Sequence, residues 1–300
     1  MKHLLQGTGV ALVTPFKNGQ IDYDALQRII NHVIQGGVEY LVSLGTTGET
    51  ATLTPHEARE ILEFTVATTN QRVPILAGFG GNNTHALQQQ IEQANFNGIH
   101  AILSASPAYN KPTQEGIFQH YTAIAQVAPR PIVIYNVPGR TASNITPDTL
   151  ARLAHSNPLF IGVKEASGNI TQCMDVARTA PPHFALISGD DPLTLPMCSF
   201  GAIGVISVLA NVLPQPFTHM VRLCLQQKFA EATPIHMALL DITNLLFTEG
   251  NPAGAKAALD ILGICSGEVR LPLVPMSPAG YKKMEAALQT LHQYQAVPQQ

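Results

Sequence analysis

Short apolar runs rich in Val, Ile and Leu recur along the chain. Each is followed by a stretch in which apolar residues return every three or four positions. The runs cover residues 9–16, 40–45, 73–79, 101–107, 132–138, 160–167, 185–190 and 204–208. Their near-continuous apolarity predicts strands buried on both faces. The stretches 24–35, 55–69, 84–97 and 114–127 carry the spacing of amphipathic helices. Thr54-Pro55 supplies an N-cap and a proline at the first helical position. Eight β-then-α units follow one another at intervals of roughly 20 to 35 residues, the pattern of a (β/α)8 TIM barrel. A doubly wound sheet is the runner-up, and it fits less well because no long break interrupts the series. After about residue 225 the strand runs stop. Segments 228–247, 252–262 and 279–293 read as helices, with a Pro-rich loop over 271–278. The expected organisation is a catalytic α/β barrel over 1–227 and a small C-terminal all-helical domain over 228–300. No low-complexity linker separates the two, so they are expected to pack closely.

Composition narrows the function. Of 300 residues, 45% are hydrophobic and 12% charged, and the formal net charge is −3 with no basic cluster. Nucleic acid and anionic membrane are therefore poor partners. The low charged fraction is compatible with burial in an oligomer. Four scattered cysteines include no Cys-x-x-Cys pair, which argues against a disulfide framework or a zinc site. No apolar leader follows a basic start, and no run reaches membrane-spanning length, so the cytoplasm is the expected location.

The most informative residue is Lys164, in Phe160-Ile161-Gly162-Val163-Lys164-Glu165 at the end of a strand-like run. Lysine is rarely buried without a reason. At the mouth of a sheet it can act as an amine nucleophile toward a carbonyl. Lys2, Lys17, Lys111, Lys228, Lys256, Lys282 and Lys283 lie near the amino terminus, in a loop or in helical stretches, and are expected to be solvated.

In a barrel, chemistry collects at the carboxyl ends of the strands. Those positions hold Gly45-Thr46-Thr47-Gly48-Glu49, Ser106-Pro107-Ala108-Tyr109-Asn110, Tyr135-Asn136-Val137-Pro138-Gly139-Arg140, Lys164-Glu165 and Ser188-Gly189-Asp190-Asp191. Glycines let backbone N–H groups approach a carboxylate. A lysine amine condenses with a ketone to an iminium, a phenol shuttles protons, and an arginine clamps a second carboxylate. Together these groups suit carbon–carbon bond making or breaking on a keto acid. Each has a bland reading when taken alone. The glycine turn could be only a turn, and a tyrosine a core-edge residue. Arg140 could be a surface ion pair, and Lys164-Glu165 a rim salt bridge. The joint placement at successive strand ends favours chemistry. Asp190-Asp191 has no accompanying metal ligands and is expected to cap the next helix. Gly78-Phe79-Gly80-Gly81 is expected to be a turn.

These motifs resemble those of the pyruvate-dependent Schiff-base lyase and aldolase superfamily, which includes dihydrodipicolinate synthases and N-acetylneuraminate lyases. The resemblance runs from Gly9-Val10-Ala11-Leu12-Val13-Thr14-Pro15-Phe16 to Leu271-Pro272-Leu273-Val274-Pro275. Tyr135-Asn136-Val137-Pro138-Gly139-Arg140-Thr141 points to the synthase branch, as do the segments around Gly189 and Ile206. The resemblance implies a condensation of pyruvate with L-aspartate 4-semialdehyde in lysine and diaminopimelate biosynthesis. It implies that Lys164 forms the pyruvate imine, with no cofactor and no metal. Tyr135 would transfer protons, linked through Thr46 to Tyr109, which in the family reaches in from a neighbouring subunit of a homotetramer built as a dimer of dimers. Thr47 would hold the pyruvate carboxylate and Arg140 that of the semialdehyde. Gly189 and Ile206 would give backbone contacts near the imine.

Two departures stand out. The synthases usually read Arg-Thr-Gly where this chain has Arg140-Thr141-Ala142. Lysine-inhibited members carry histidines, a glutamate and a tyrosine at positions held here by Pro55, Ala58, Ala86 and Ala108, although Asn82 still matches. Weak inhibition by lysine, or none, is therefore expected. The alternative activity is a pyruvate-forming aldolase on a sugar acid or 2-keto-3-deoxy acid, which would need hydroxyl-binding groups where Arg140 stands. A non-catalytic relative should have lost Lys164 or Tyr135, and both are present.

Overall fold

The computed structural model describes residues 2–291, with side chains from Leu4 onward. Eight strands form the centre: β1 (Gly7–Ala11), β2 (Tyr40–Ser43), β3 (Ile75–Gly78), β4 (Ala101–Ala105), β5 (Ile132–Asn136), β6 (Phe160–Glu165), β7 (Ala185–Ser188) and β8 (Gly204–Ser207). All pair in parallel, each with its neighbours in sequence, and β8 closes the ring on β1. The expected barrel is therefore present. Side chains alternate between its faces. Val133 and Tyr135 belong to the cluster that fills the barrel, with Tyr40, Leu76, Leu103, Ile161, Ile187 and Ile206. Ile132 and Ile134 belong to the larger cluster under the helices. Both faces are buried, which is why the runs read as continuous apolar segments.

The apolar runs overshoot the strands at their carboxyl ends. The run over 9–16 stops pairing as a strand at Ala11, and that over 132–138 at Asn136. Beyond those points the chain stays apolar because Leu12, Val13 and Val137 remain buried in the core clusters, while its backbone leaves the ladder.

The outer ring consists of α1 (Tyr23–Gln35), α2 (Pro55–Thr69), α3 (Thr84–Gln93), α4 (Gln114–Val127), α5 (Pro147–Ser156), α6 (Ile170–Thr179), the short α7 (Thr194–Ser199) and α8 (Pro214–Leu225). Side-chain caps fix the starts of the first six. Thr54 accepts from the Glu57 amide while the Glu57 carboxylate accepts from the Thr54 amide. Asp22, Asn83, Thr113, Thr146 and Asn169 cap α1, α3, α4, α5 and α6. The third helix is shorter than expected, because Ala94 turns extended and Asn95 accepts from the Asn97 amide.

Three further helices follow: α9 (Phe229–Thr248), α10 (Ala253–Ile261) and α11 (Pro278–Thr290). The expected end of the last helix, at residue 293, lies outside the described residues. Helix α9 packs on α8, α10 and α11. Helix α10 overturns one expectation. Every residue from Ala253 to Leu259 is buried, Lys256 among them at 0% exposure. The helix is apolar all round and so is enclosed all round, and a lysine in it cannot reach water. A second correction concerns Asp190-Asp191. Asp190 makes no side-chain cap. Asp191, fully enclosed, accepts through Oδ2 from the amides of Val208 and Leu209, each at 3.0 Å, and so caps the turn after β8 instead of the helix that follows it.

His120 on α4 is buried against α3. Its Nδ1 lies 2.8 Å from the Thr84 hydroxyl, and Nε2 has no partner among the described residues. Desolvation pulls its pKa down from 6.5 to about 4. The unfolded chain therefore takes up a proton near 6.5 that the folded chain refuses until about 4. Stability from this site is complete above 6.5 and is lost as pH falls toward 4, by roughly 3 kcal/mol in total. Urea titrations of the parent and His120→Gln across that window should show a decline in the parent that the variant lacks. Parallel declines would mean that His120 does not carry the effect.

Candidate active site

The pairing of β5 with β6 sets Tyr135 directly beside Lys164. Neighbours in register on parallel strands share a face, so both side chains point into the barrel. Lys164 is 5% exposed, and its Nζ sits 4.3 Å from the centre of the Tyr135 ring. It belongs to none of the ion pairs within 4.0 Å among the described residues. The adjacent Glu165 is no partner, because it lies on the opposite face. There it accepts from the Asn136 amide group at 2.9 Å, the Ser167 backbone N–H at 2.8 Å and Gln172 at 3.2 Å. The rim salt bridge between Lys164 and Glu165 is thus not formed. Gly189 follows β7 and packs flat on the lysine stem. A Cβ there would lie 3.0 Å from Lys164 Cγ, 3.1 Å from Cε and 2.8 Å from Ala166 Cβ.

After β2 the chain makes a single 3-10 turn, Thr46–Gly48, and then enters the left-handed region at Glu49, φ +53°. Gly48 and Glu49 donate back to the carbonyls of Gly45 and Thr46 at 3.0 and 3.1 Å. The first amides of such a turn have no partner within it, so those of Thr46 and Thr47 suit an anionic ligand. Thr14 donates to the Gly48 carbonyl at 2.7 Å and anchors the turn to the chain leaving β1.

A cavity of about 450 Å³ opens at this end of the barrel. Thr46, Tyr135 and Arg140 line it, with Glu49, Asn251, Pro252, Pro272 and Leu273. Lys164 lies against its Tyr135 wall. Thr47 is buried behind the turn, its Oγ1 accepting from Asn251 Nδ2 at 3.0 Å. Ile206 is 1% exposed within the barrel. Tyr109 is not brought in. Its side chain is 90% exposed, and its backbone is held in the left-handed region, φ +68°.

The sequence reading missed the residues after 228 that complete this mouth. Asn251 contacts both the Thr47 side chain and, through its carbonyl at 3.4 Å, Arg140. Lys256 pairs with Glu49. Burial pulls the Lys256 ammonium below its ordinary pKa, with Glu49 acting in the opposite direction. A signal for Lys256 was available, since Ala253-Gly254-Ala255-Lys256-Ala257-Ala258-Leu259 has no polar face for a solvated lysine to occupy.

A closed parallel barrel that presents one buried lysine amine beside a phenol at its carboxyl mouth defines the class of Schiff-base (β/α)8 lyases and aldolases. The chain belongs within that class to the dihydrodipicolinate synthetase family, which it matches over residues 4–291. It is 48% identical over 288 residues to the 4-hydroxy-tetrahydrodipicolinate synthase of Parabacteroides distasonis, covering 96% of this chain and 97% of that protein. Among solved structures it is similar to the dihydrodipicolinate synthase of Thermotoga maritima, with a TM-score of 0.94, 36% identity and coverage of 96% and 99%. It is equally similar to a monomeric dihydrodipicolinate synthase variant, with a TM-score of 0.93, 36% identity and coverage of 95% and 96%.

Gly189→Ala tests the packing around the amine. The new methyl group has to displace the lysine stem or Ala166. Misplacement of a reacting group by about 1 Å lowers rates by on the order of 100-fold. A fall in kcat/KM of at least about tenfold is expected. Unchanged kinetics would mean that the stem can shift without moving the amine.

Proposed function

We propose that the chain is a 4-hydroxy-tetrahydrodipicolinate synthase that condenses pyruvate with L-aspartate 4-semialdehyde in lysine and diaminopimelate biosynthesis. The observation that carries this reading is the Lys164 amine against the Tyr135 ring, with Arg140 lining the same cavity. In this reading Lys164 adds to the pyruvate ketone and water leaves, giving an iminium. Loss of a methyl proton gives the enamine, whose carbon attacks the aldehyde. The amino group of the adduct then displaces the lysine and closes the ring. The covalent imine takes the place of a cofactor. Tyr135 carries protons, Thr46 links it to Tyr109, and the Thr47 turn holds the pyruvate carboxylate. Arg140 holds the carboxylate of the semialdehyde, and Gly189 and Ile206 frame the imine. Tyr109 is exposed and does not line its own cavity, which supports its donation to a neighbouring copy in a homotetramer. The division into a catalytic barrel, 1–227, and a helical domain, 228–300, follows the end of the strands. Among the described residues no helix is long and apolar enough to cross a membrane, and the cytoplasm is the proposed location.

Borohydride reduction with pyruvate, followed by intact-protein and peptide mass measurement, should place the adduct on Lys164, and a coupled assay should show turnover of the semialdehyde. An adduct without that turnover would redirect the reading to sugar-acid or 2-keto-3-deoxy-acid substrates. Absence of any adduct would end it.

The positions facing the effector in lysine-inhibited relatives hold Pro55, Ala58, Ala86 and Ala108, none of which offers a side-chain acceptor. The side-chain Oδ1 of Asn82, the one matching residue, already accepts from the Ala108 backbone N–H at 2.8 Å. The purified protein is expected to keep full activity in submillimolar lysine, and clear inhibition at that level would overturn the expectation.

A further inference from the structure

The turn that carries Thr46 and Thr47 is held from outside the barrel. Glu49, the left-handed residue that ends it, is 3% exposed and gripped on both carboxylate oxygens. Oε1 accepts from the Lys256 ammonium, and Oε2 from the Arg270 backbone N–H at 2.9 Å. Lys256 in turn donates to the Glu268 carbonyl at 2.8 Å and lies 4.1 Å from the centre of the Phe16 ring. The Arg270 guanidinium packs on the same ring at 4.4 Å. A non-glycine residue keeps a left-handed backbone only when its surroundings over-determine it, and this network does so for Glu49. On the other side of the turn, Asn251 donates to the Thr47 hydroxyl oxygen at 3.0 Å. That hydroxyl donates to no described residue, so its proton is not committed within the described chain.

We propose that Glu49, Lys256 and Asn251 are positioning residues of the pyruvate-binding turn, so that the C-terminal helical segment sets pyruvate affinity. The proposal rests on the reading of the Thr47 turn as the carboxylate site. The ion pair fixes the backbone that presents the Thr46 and Thr47 amides. Asn251 fixes the direction of the Thr47 hydroxyl. None of the three is assigned a step in the chemistry.

The test uses Asn251→Ala and Glu49→Gln in the full chain. Steady-state kinetics would be measured in both substrates, alongside borohydride trapping and thermal melting. Asn251→Ala removes one directed donor and is expected to raise the KM for pyruvate about fivefold. Glu49→Gln removes the charge that Lys256 faces and is expected to raise it at least about tenfold. In both, the KM for the aldehyde should stay within about twofold, and the Lys164 adduct should still form at saturating pyruvate. Two results would overturn the proposal: folded variants whose pyruvate KM stays within about twofold of the parent, or a joint rise of both KM values with a fall in kcat, which marks general loosening. If Glu49→Gln does not fold, Asn251→Ala decides alone. A parent protein that forms no adduct would defeat the proposed function itself, and that outcome is separate from any change in KM.

Discussion

The register between β5 and β6 is the constraint on which the site depends. Ile132 pairs with Phe160, but Val133 pairs with Gly162, so β6 carries one extra residue at that point. This irregularity shifts every later pair by one. It sets Tyr135 opposite Lys164 inside the barrel and Asn136 opposite Glu165 outside it. Without the extra residue, Tyr135 would face Val163 and the lysine would lie beside Asn136. A single slip exchanges the two faces of a strand, so the bulge is what aims the amine. Gly162 makes it possible, because a Cβ there would meet the Ala185 carbonyl of β7 at 2.7 Å.

Among the described residues two lysines are buried, Lys164 and Lys256, and they are treated in opposite ways. Lys256 is given a carboxylate, a carbonyl and an aromatic face, which satisfies an ammonium that has lost its water. Breaking such a pair from one side strands the other charge, at a cost of about 3–5 kcal/mol. Lys164 is given a phenol ring and a flat glycine and belongs to no ion pair among the described residues. Burial alone therefore does not decide what a lysine is placed to do. The distinguishing feature is a buried amine whose neighbours leave room and hydrogen-bonding capacity for something else.

This contrast explains which parts of the site were legible in the sequence. The barrel was legible because strands enclosed on both faces must be apolar throughout and because caps such as Thr54 and Asp22 announce helix starts chemically. The shared placement of Lys164, Tyr135, Thr46 and Arg140 was legible because each falls at or just beyond the carboxyl end of a strand. Lys256 and Asn251 were not, because their partners lie 207 and 204 positions away. Nothing local to residue 256 reports the position of Glu49. Only the absence of a polar face on its helix hinted at burial. Asp191 was misassigned for the same reason. Its role as a cap was correct in kind, but the amides it caps belong to the turn after the next strand.

The departure at Ala142 fits the same geometry. This residue closes the single helical turn Pro138–Thr141 with φ +54°, a conformation that glycine adopts freely. The resemblance to Arg-Thr-Gly sequences is thus explained by backbone, and alanine replaces glycine there at a strain of about 1 kcal/mol. The strain is absorbed because the turn is tied from both sides. The Tyr109 amide donates to the Thr141 carbonyl at 3.2 Å, and Thr141 Oγ1 donates to the Ser143 carbonyl at 2.8 Å. The turn that carries Arg140 therefore also fixes the backbone of Tyr109, whose side chain is exposed. A shift of that turn would move an arginine at one cavity and an exposed tyrosine together.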